Sequence, residues 1–201
     1  AVGGWDLRPC ECASAEAGFL RAIERLTLRD PNPADGEALY NLGVCLRYLG
    51  RDDDAYDRFY KATWNGAWRA AAYFALAEID AARGDWARSL EHVQLSLRHD
   101  TDHLNARNLK ALALQRLGRK DEAAALVAET LCFDPLDCGA RWLAGQALAC
   151  DTQTRIDLAI GRARAGQYDD AIALLGEAMK TADPGTRPLL QYYLAAYNER
   201  I

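Results

Sequence analysis

The chain lacks most of the features that would assign it quickly. It has no apolar run approaching the about 18 residues of a membrane-spanning helix. Its first residues show no basic stretch followed by an apolar one, so no secretory leader is read there. The chain opens on Ala1 and its one methionine is Met179, from which we expect a processed start or a piece of a longer protein. Basic charge is in deficit: 24 Lys and Arg stand against 29 Asp and Glu, a net charge of −5. A phosphate backbone needs a concentrated basic face, so nucleic acid is not an expected partner. No HExxH helix, glycine-rich phosphate loop or GxSxG elbow occurs, and no catalytic constellation or cofactor is expected. Six cysteines are scattered at 10, 12, 45, 132, 138 and 150. Cys10-x-Cys12 is too short for a zinc knuckle and the others form no CxxC pair, which argues against a cysteine metal site. An even count permits disulfides, but Cys45 and Cys132 fall where helices should bury small apolar groups. A reduced, cytoplasmic chain is the expectation.

What is present is a beat. Gly50, Gly84 and Gly118 are spaced by 34 residues, and Gly166 repeats their setting. The phrases around them read YLGRDDDAYDRF (48–59), ARGDWARSLEHV (82–93), RLGRKDEAAALV (116–127) and RAGQYDDAIALL (164–175). A fixed period of this size is the signature of stacked helical repeats. Leu39, Leu42, Gly43 and Leu46 share one helix face by their three- and four-residue spacing. Small residues at Gly43, Ala77, Ala111 and Ala159 let a partner helix approach, and Ala55, Ala123 and Ala171 do the same from the other side. Phe59, Val127 and Leu175 fill the groove beside them. Each glycine suits a helix C-terminus, and acidic pairs such as Asp52 and Asp53 suit the N-terminus that follows.

These positions resemble the tetratricopeptide repeat, whose Leu-Gly, Ala, Phe, Ala and Pro fall at the same offsets. The match is loose at Asp80, Ser89, Lys110 and Arg155. The resemblance implies an all-α fold, a right-handed solenoid of antiparallel helix pairs. We divide it into a degenerate cap (1–35), three repeats (36–69, 70–103 and 104–137), an irregular helix (138–151), a further repeat (152–185) and a terminal helix (186–201). The interval from Gly118 to Gly166 exceeds the period by 14 residues, and 138–151 is that surplus. We expect it to form a short amphipathic helix carrying Trp142, Leu143 and Leu148, with Gly145 as its small residue. Residues 15–29 read as the second helix of a broken repeat, closed by Asp30-Pro31-Asn32-Pro33. Tyr192, Tyr193 and Tyr197 either cover the last apolar face or mark a cut through a longer array.

Repeats of this kind imply a binding module rather than an enzyme, with a protein, a peptide or another domain of the same chain as partner and self-association open. The first helix of each repeat lines the groove in this family. That places Glu37, Tyr40, Asn41, Val44, Tyr48, Phe74, Glu78, Asn105, Asn108, Leu112 and Arg116 on it. Amides to pair a peptide backbone and rings to cover its side chains suit an extended peptide. Tyr40, Phe74 and Leu112 serve equally well as packing between helices. A second candidate is the turn Trp64-Asn65-Gly66-Ala67-Trp68-Arg69 with Tyr73, which either staples two repeats or docks a sugar or a domain. His92, His99 and His103 cluster near Asp100 and Asp102. A metal site is one reading; Asp100, Thr101 and Asp102 as helix N-caps is the one we adopt. At a finer level, 25–80, 102–119 and 134–145 are similar to the tail of certain large bacterial proteins. Those proteins carry a mutarotase-like domain of unknown function upstream. This resemblance implies an alternative role, a tail that helps form a carbohydrate-active site with that domain.

Overall fold

A computed structural model describes residues 9–28 and 35–201 of the chain, with side chains from residue 15 onward in the first stretch. The Asp30-Pro31-Asn32-Pro33 break and the thiols of Cys10 and Cys12 lie outside what it describes. Among the described residues there are eleven helices and no strand. They are α1 (Pro9–Thr27), α2 (Glu37–Tyr48), α3 (Asp52–Ala62), α4 (Arg69–Ala82), α5 (Trp86–His99) and α6 (Leu104–Arg116). There follow α7 (Lys120–Phe133), α8 (Cys138–Leu143), α9 (Thr152–Arg164), α10 (Tyr168–Thr181) and α11 (Arg187–Asn198).

The pairing within a repeat follows from side-chain size. Leu39, Leu42, Gly43 and Leu46 form the buried stripe of α2. Phe59 of α3 lies flat against it, 1% exposed. A Cβ on Gly43 would sit 2.7 Å from Phe59 Cε1, so only glycine admits the ring there. Burying such a side chain contributes about 1.5–3 kcal/mol from solvent transfer alone. The looser positions of the second repeat carry polar contacts instead. Ser89 is fully buried and its hydroxyl donates to the Ala77 carbonyl at 2.8 Å. Asp80, 1% exposed, meets His92 Nδ1 at 2.6 Å.

The turns repeat as closely as the helices do. Gly50, Gly84, Gly118 and Gly166 take φ values between 72° and 79°. In each turn the next amide reaches back to the final helical turn, as Arg51 N–H to Leu46 O and Arg119 N–H to Leu114 O at 2.9 Å, which satisfies a carbonyl the helix leaves open. Asp85 then caps α5 by accepting from Arg88 N–H at 3.1 Å.

Two local expectations are corrected. Gly145 is not a small residue inside a helix: at φ 68° it is a fifth left-handed turn glycine, and it ends α8 after six residues. The helix expected over 138–151 is therefore cut short, and 146–151 has no regular structure before Asp151 caps α9 through Thr154 N–H. The N-caps expected at Asp100, Thr101 and Asp102 do not form. Asp100 closes α5 in extended conformation, Asp102 accepts from the Thr101 hydroxyl, and α6 starts after His103 without a side-chain cap.

Three main cores result. One joins α2, α3 and α4, with Phe19 and Ile23 of α1 against it. The next joins α4 through α7. The third joins α9, α10 and α11, where Leu190 is fully buried and Tyr193 and Tyr197 pack on the cluster, while Tyr192 is exposed. The short α8 bridges the last two: Leu143 packs on the earlier core and Trp142 on the later one. Its close approach to α6 needs Gly139, where a Cβ would collide with the Asn108 amide.

Candidate partner-binding groove

The groove residues fall into three groups. Tyr40, Phe74 and Leu112 are packing residues: Tyr40 stacks on Trp68 at 4.9 Å and tilts against Phe59 at 5.4 Å. Phe74 meets His103 edge-on at 4.7 Å, and Leu112 is 4% exposed within the core. Burial raises the Tyr40 hydroxyl above its ordinary pKa, with the Glu78 carboxylate adding to it. Asn108 is spent on the fold, donating to Asp137 Oδ2 at 2.7 Å and so holding the α8 cap in place. Glu37 and Asn105 are exposed, and Asn41 and Val44 are half-buried.

The third group, Tyr48, Glu78 and Arg116, meets the later repeat. Arg47 pairs with Glu78 at 2.7 Å, both side chains largely buried. The other Arg47 nitrogen donates to the Arg164 carbonyl at 3.0 Å, which satisfies the C-terminal end of α9. Arg164 in turn donates to the Tyr48 hydroxyl at 2.9 Å. Arg116 donates to the Gln167 side chain and lies over the Trp86 ring. Ala165 is buried in the α4–α7 core, and the Gly166 backbone touches Ala82 at the end of α4. The turn between α9 and α10 is thus seated on the C-terminal ends of α2, α4 and α6. Tyr197 of α11 stands near Arg164 and Tyr48, its hydroxyl pushed above its ordinary pKa by burial.

At the second candidate surface, Trp68 is the staple, held on Tyr40, and Tyr73 stacks on His92 at 6.0 Å. Arg69 folds back to the Thr63 carbonyl at 2.8 Å. Trp64 remains 58% exposed. The histidines separate, His92 to Asp80 and His103 to Phe74, and no group of three metal-ligating side chains gathers among the described residues.

No protein-family model matches the sequence. Solved structures do. A thermophilic tetratricopeptide-repeat protein of Thermus thermophilus superposes with a TM-score of 0.54 at 19% identity, over 94% of this chain and 92% of that one. A tetratricopeptide-repeat protein of Parabacteroides merdae gives 0.58 at 17% identity, over 95% and 67%. The protein MamA gives 0.55 at 17% identity, over 85% and 88%. The fold is a tetratricopeptide-repeat solenoid. No helix of the described residues is long and apolar enough to cross a membrane.

Sequence reasoning missed the residues that close this solenoid on itself: Arg47, Ala82, Arg164 and Gln167. The only signal was the 14-residue delay before Gly166. It marks a change of direction, but no residue type announces which way the chain turns.

Proposed function

We propose that the chain is a non-catalytic docking module that receives an extended segment of polypeptide along the α2–α4–α6 face. The segment belongs to a partner protein or to another part of the same parent chain. The supporting observation is a wall whose deep residues are fixed by packing while Glu37, Asn41 and Asn105 keep polar groups toward the surface. Amides at Asn41 and Asn105 pair a peptide backbone in both senses, donor and acceptor. The seated α9–α10 turn is then the end wall of the groove, with Arg164 favouring a carboxylate or carbonyl group on the bound segment. In this reading 36–137 is the binding block, 138–151 the joint and 152–201 the stop. We place the module in the reducing cytoplasm, where the buried Cys45 serves as an apolar filler.

The test is calorimetric titration of the chain with a random extended-peptide library and with the remaining parts of the parent protein. The paired substitution Asn41→Ala/Asn105→Ala should weaken any binding by about tenfold or more, two lost hydrogen bonds. Silence toward every probe, or binding indifferent to both asparagines, removes the proposal.

A second reading rests on Trp64. A tryptophan exposed to this degree beside the first inter-repeat turn suits docking on an upstream domain, and with it a share in a carbohydrate-active site. Trp64→Ala in the longer parent protein, with sugar turnover as the readout, decides it; unchanged turnover removes it.

A further inference from the structure

The 14 surplus residues carry two cysteines, Cys138 at the start of α8 and Cys150 just before the α9 cap. Both line one shallow cleft with Leu136, Arg141, Asp151 and Thr154, where the Cys138 thiol donates to the Leu136 carbonyl at 3.6 Å. Both are half-exposed, so a small disulfide reagent reaches them, whereas Cys45 is buried. Between them the chain runs through Gly145 and the irregular stretch 146–151, the one long connection between the earlier and later blocks.

We propose that Cys138 and Cys150 form a reversible disulfide that fastens this joint. The proposal is independent of what the groove binds. Cys150, the thiol on the irregular stretch, attacks one sulfur of a small-molecule disulfide such as oxidised glutathione. A protein–glutathione disulfide forms and one glutathione thiolate leaves. Cys138 then attacks the Cys150 sulfur of that mixed disulfide and releases the second glutathione. Two thiol protons pass to the two departing thiolates, the cysteine pair is oxidised by two electrons, and the reagent is reduced by two.

Cys138 comes second for a physical reason. Burial, with the neighbouring Cys150 next, pushes its thiol up to about 11, so little thiolate exists at neutral pH. A thiol in that state exchanges slowly and faster as pH rises. The device is therefore a slow latch on the joint, not a rapid peroxide sensor. Closing it ties the start of α8 to the start of α9 and removes freedom from the segment that sets how the α9–α10 turn meets α2 and α4.

The experiment uses the full chain, reduced and then incubated with oxidised glutathione at about pH 7 and about pH 8.5, below and at the ordinary thiol pKa, alkylated and digested with trypsin without reduction. Residues 121–141, holding Cys132 and Cys138, and 142–155, holding Cys150, should appear as one linked species. It should accumulate faster at the higher pH, persist in a Cys132→Ser variant, and vanish in Cys138→Ser and Cys150→Ser. Should either of those two variants misfold, mapping the Cys132→Ser chain alone still decides. Cys138 and Cys150 recovered alkylated, carrying separate glutathiones or joined to other cysteines in the folded Cys132→Ser chain overturns the proposal.

Discussion

The block from α2 to α7 and the block from α8 to α11 are built with the same turn and use it differently. Around Gly50, Gly84 and Gly118 there is open space, and each turn passes the chain to the next helix. Around Gly166 there is not: a Cβ there would lie 2.8 Å from Ala82 Cα, because this turn is pressed against the earlier block. One local conformation therefore serves as an open connector four times, Gly145 included, and as a contact once. The turn geometry comes from the residues beside the glycine; its role comes from the 14 residues that shift its phase.

The largest expected effect separates the two blocks by stability. Phe59→Ala empties the space under Gly43 and should cost about 3–5 kcal/mol in urea unfolding. A second transition that keeps its midpoint would show that the α9–α11 core stands without the α2–α4 core; one shared, shifted transition would show that they melt together. Arg47→Ala removes the partner of the buried Glu78 carboxylate and the donor at the α9 C-terminus. About 3 kcal/mol is expected from the unpaired charge, with amide shifts at Arg164 and Gln167 in the NMR spectrum. A loss below about 1 kcal/mol, the range of a surface pair, would mean that the Arg47–Glu78 pair is not buried; unmoved Arg164 and Gln167 amides would mean that the two blocks do not share the Arg47 contact.

The turn glycines sharpen the comparison further. Gly84→Ala should cost about 1–2 kcal/mol for the left-handed backbone alone. Gly166→Ala carries the same term plus the collision with Ala82, and should exceed it by about 1 kcal/mol or more. Equal costs at the two sites would break the distinction. The smallest effect is a pH dependence at the floor of the first block. Burial against Phe74 holds His103 below its ordinary pKa, with Asp100 and Glu78 opposing. The unfolded chain then binds more protons near its titration at about 6.5, so stability rises with pH. That contribution is complete above the unfolded value and is lost as pH falls below it. The urea midpoint should drop between about pH 7.5 and about pH 5.5, one unit either side of that titration, and less so in His103→Gln.

Much of the first block is legible in the sequence because its determinants are local. Gly43 opposite Phe59, the glycine at each helix end and the acids after it are all read from spacing. The irregular stretch is harder. Gly145 stands at a position that looks like a packing residue, and its left-handed turn shows only with the Gln146 amide returned to Arg141. The groove divides the same way. Tyr40, Phe74 and Leu112 sit on the face that the repeat implies, yet Trp68, His103 and the core claim them. Nothing in the spacing reveals those neighbours. The seat of the α9–α10 turn is tertiary throughout, since Arg47 and Arg164 are 117 residues apart.

The seat of that turn can be measured directly. In a sample with alanine methyl labels, the Gly166 α-protons should give a nuclear Overhauser cross-peak to the Ala82 methyl group. The Leu42 or Gly43 protons against the Phe59 ring serve as the control for an intact repeat. Both cross-peaks together are the expected result. The control peak without the Gly166–Ala82 peak would contradict the account, leaving an ordinary open array in which the later block does not close the groove.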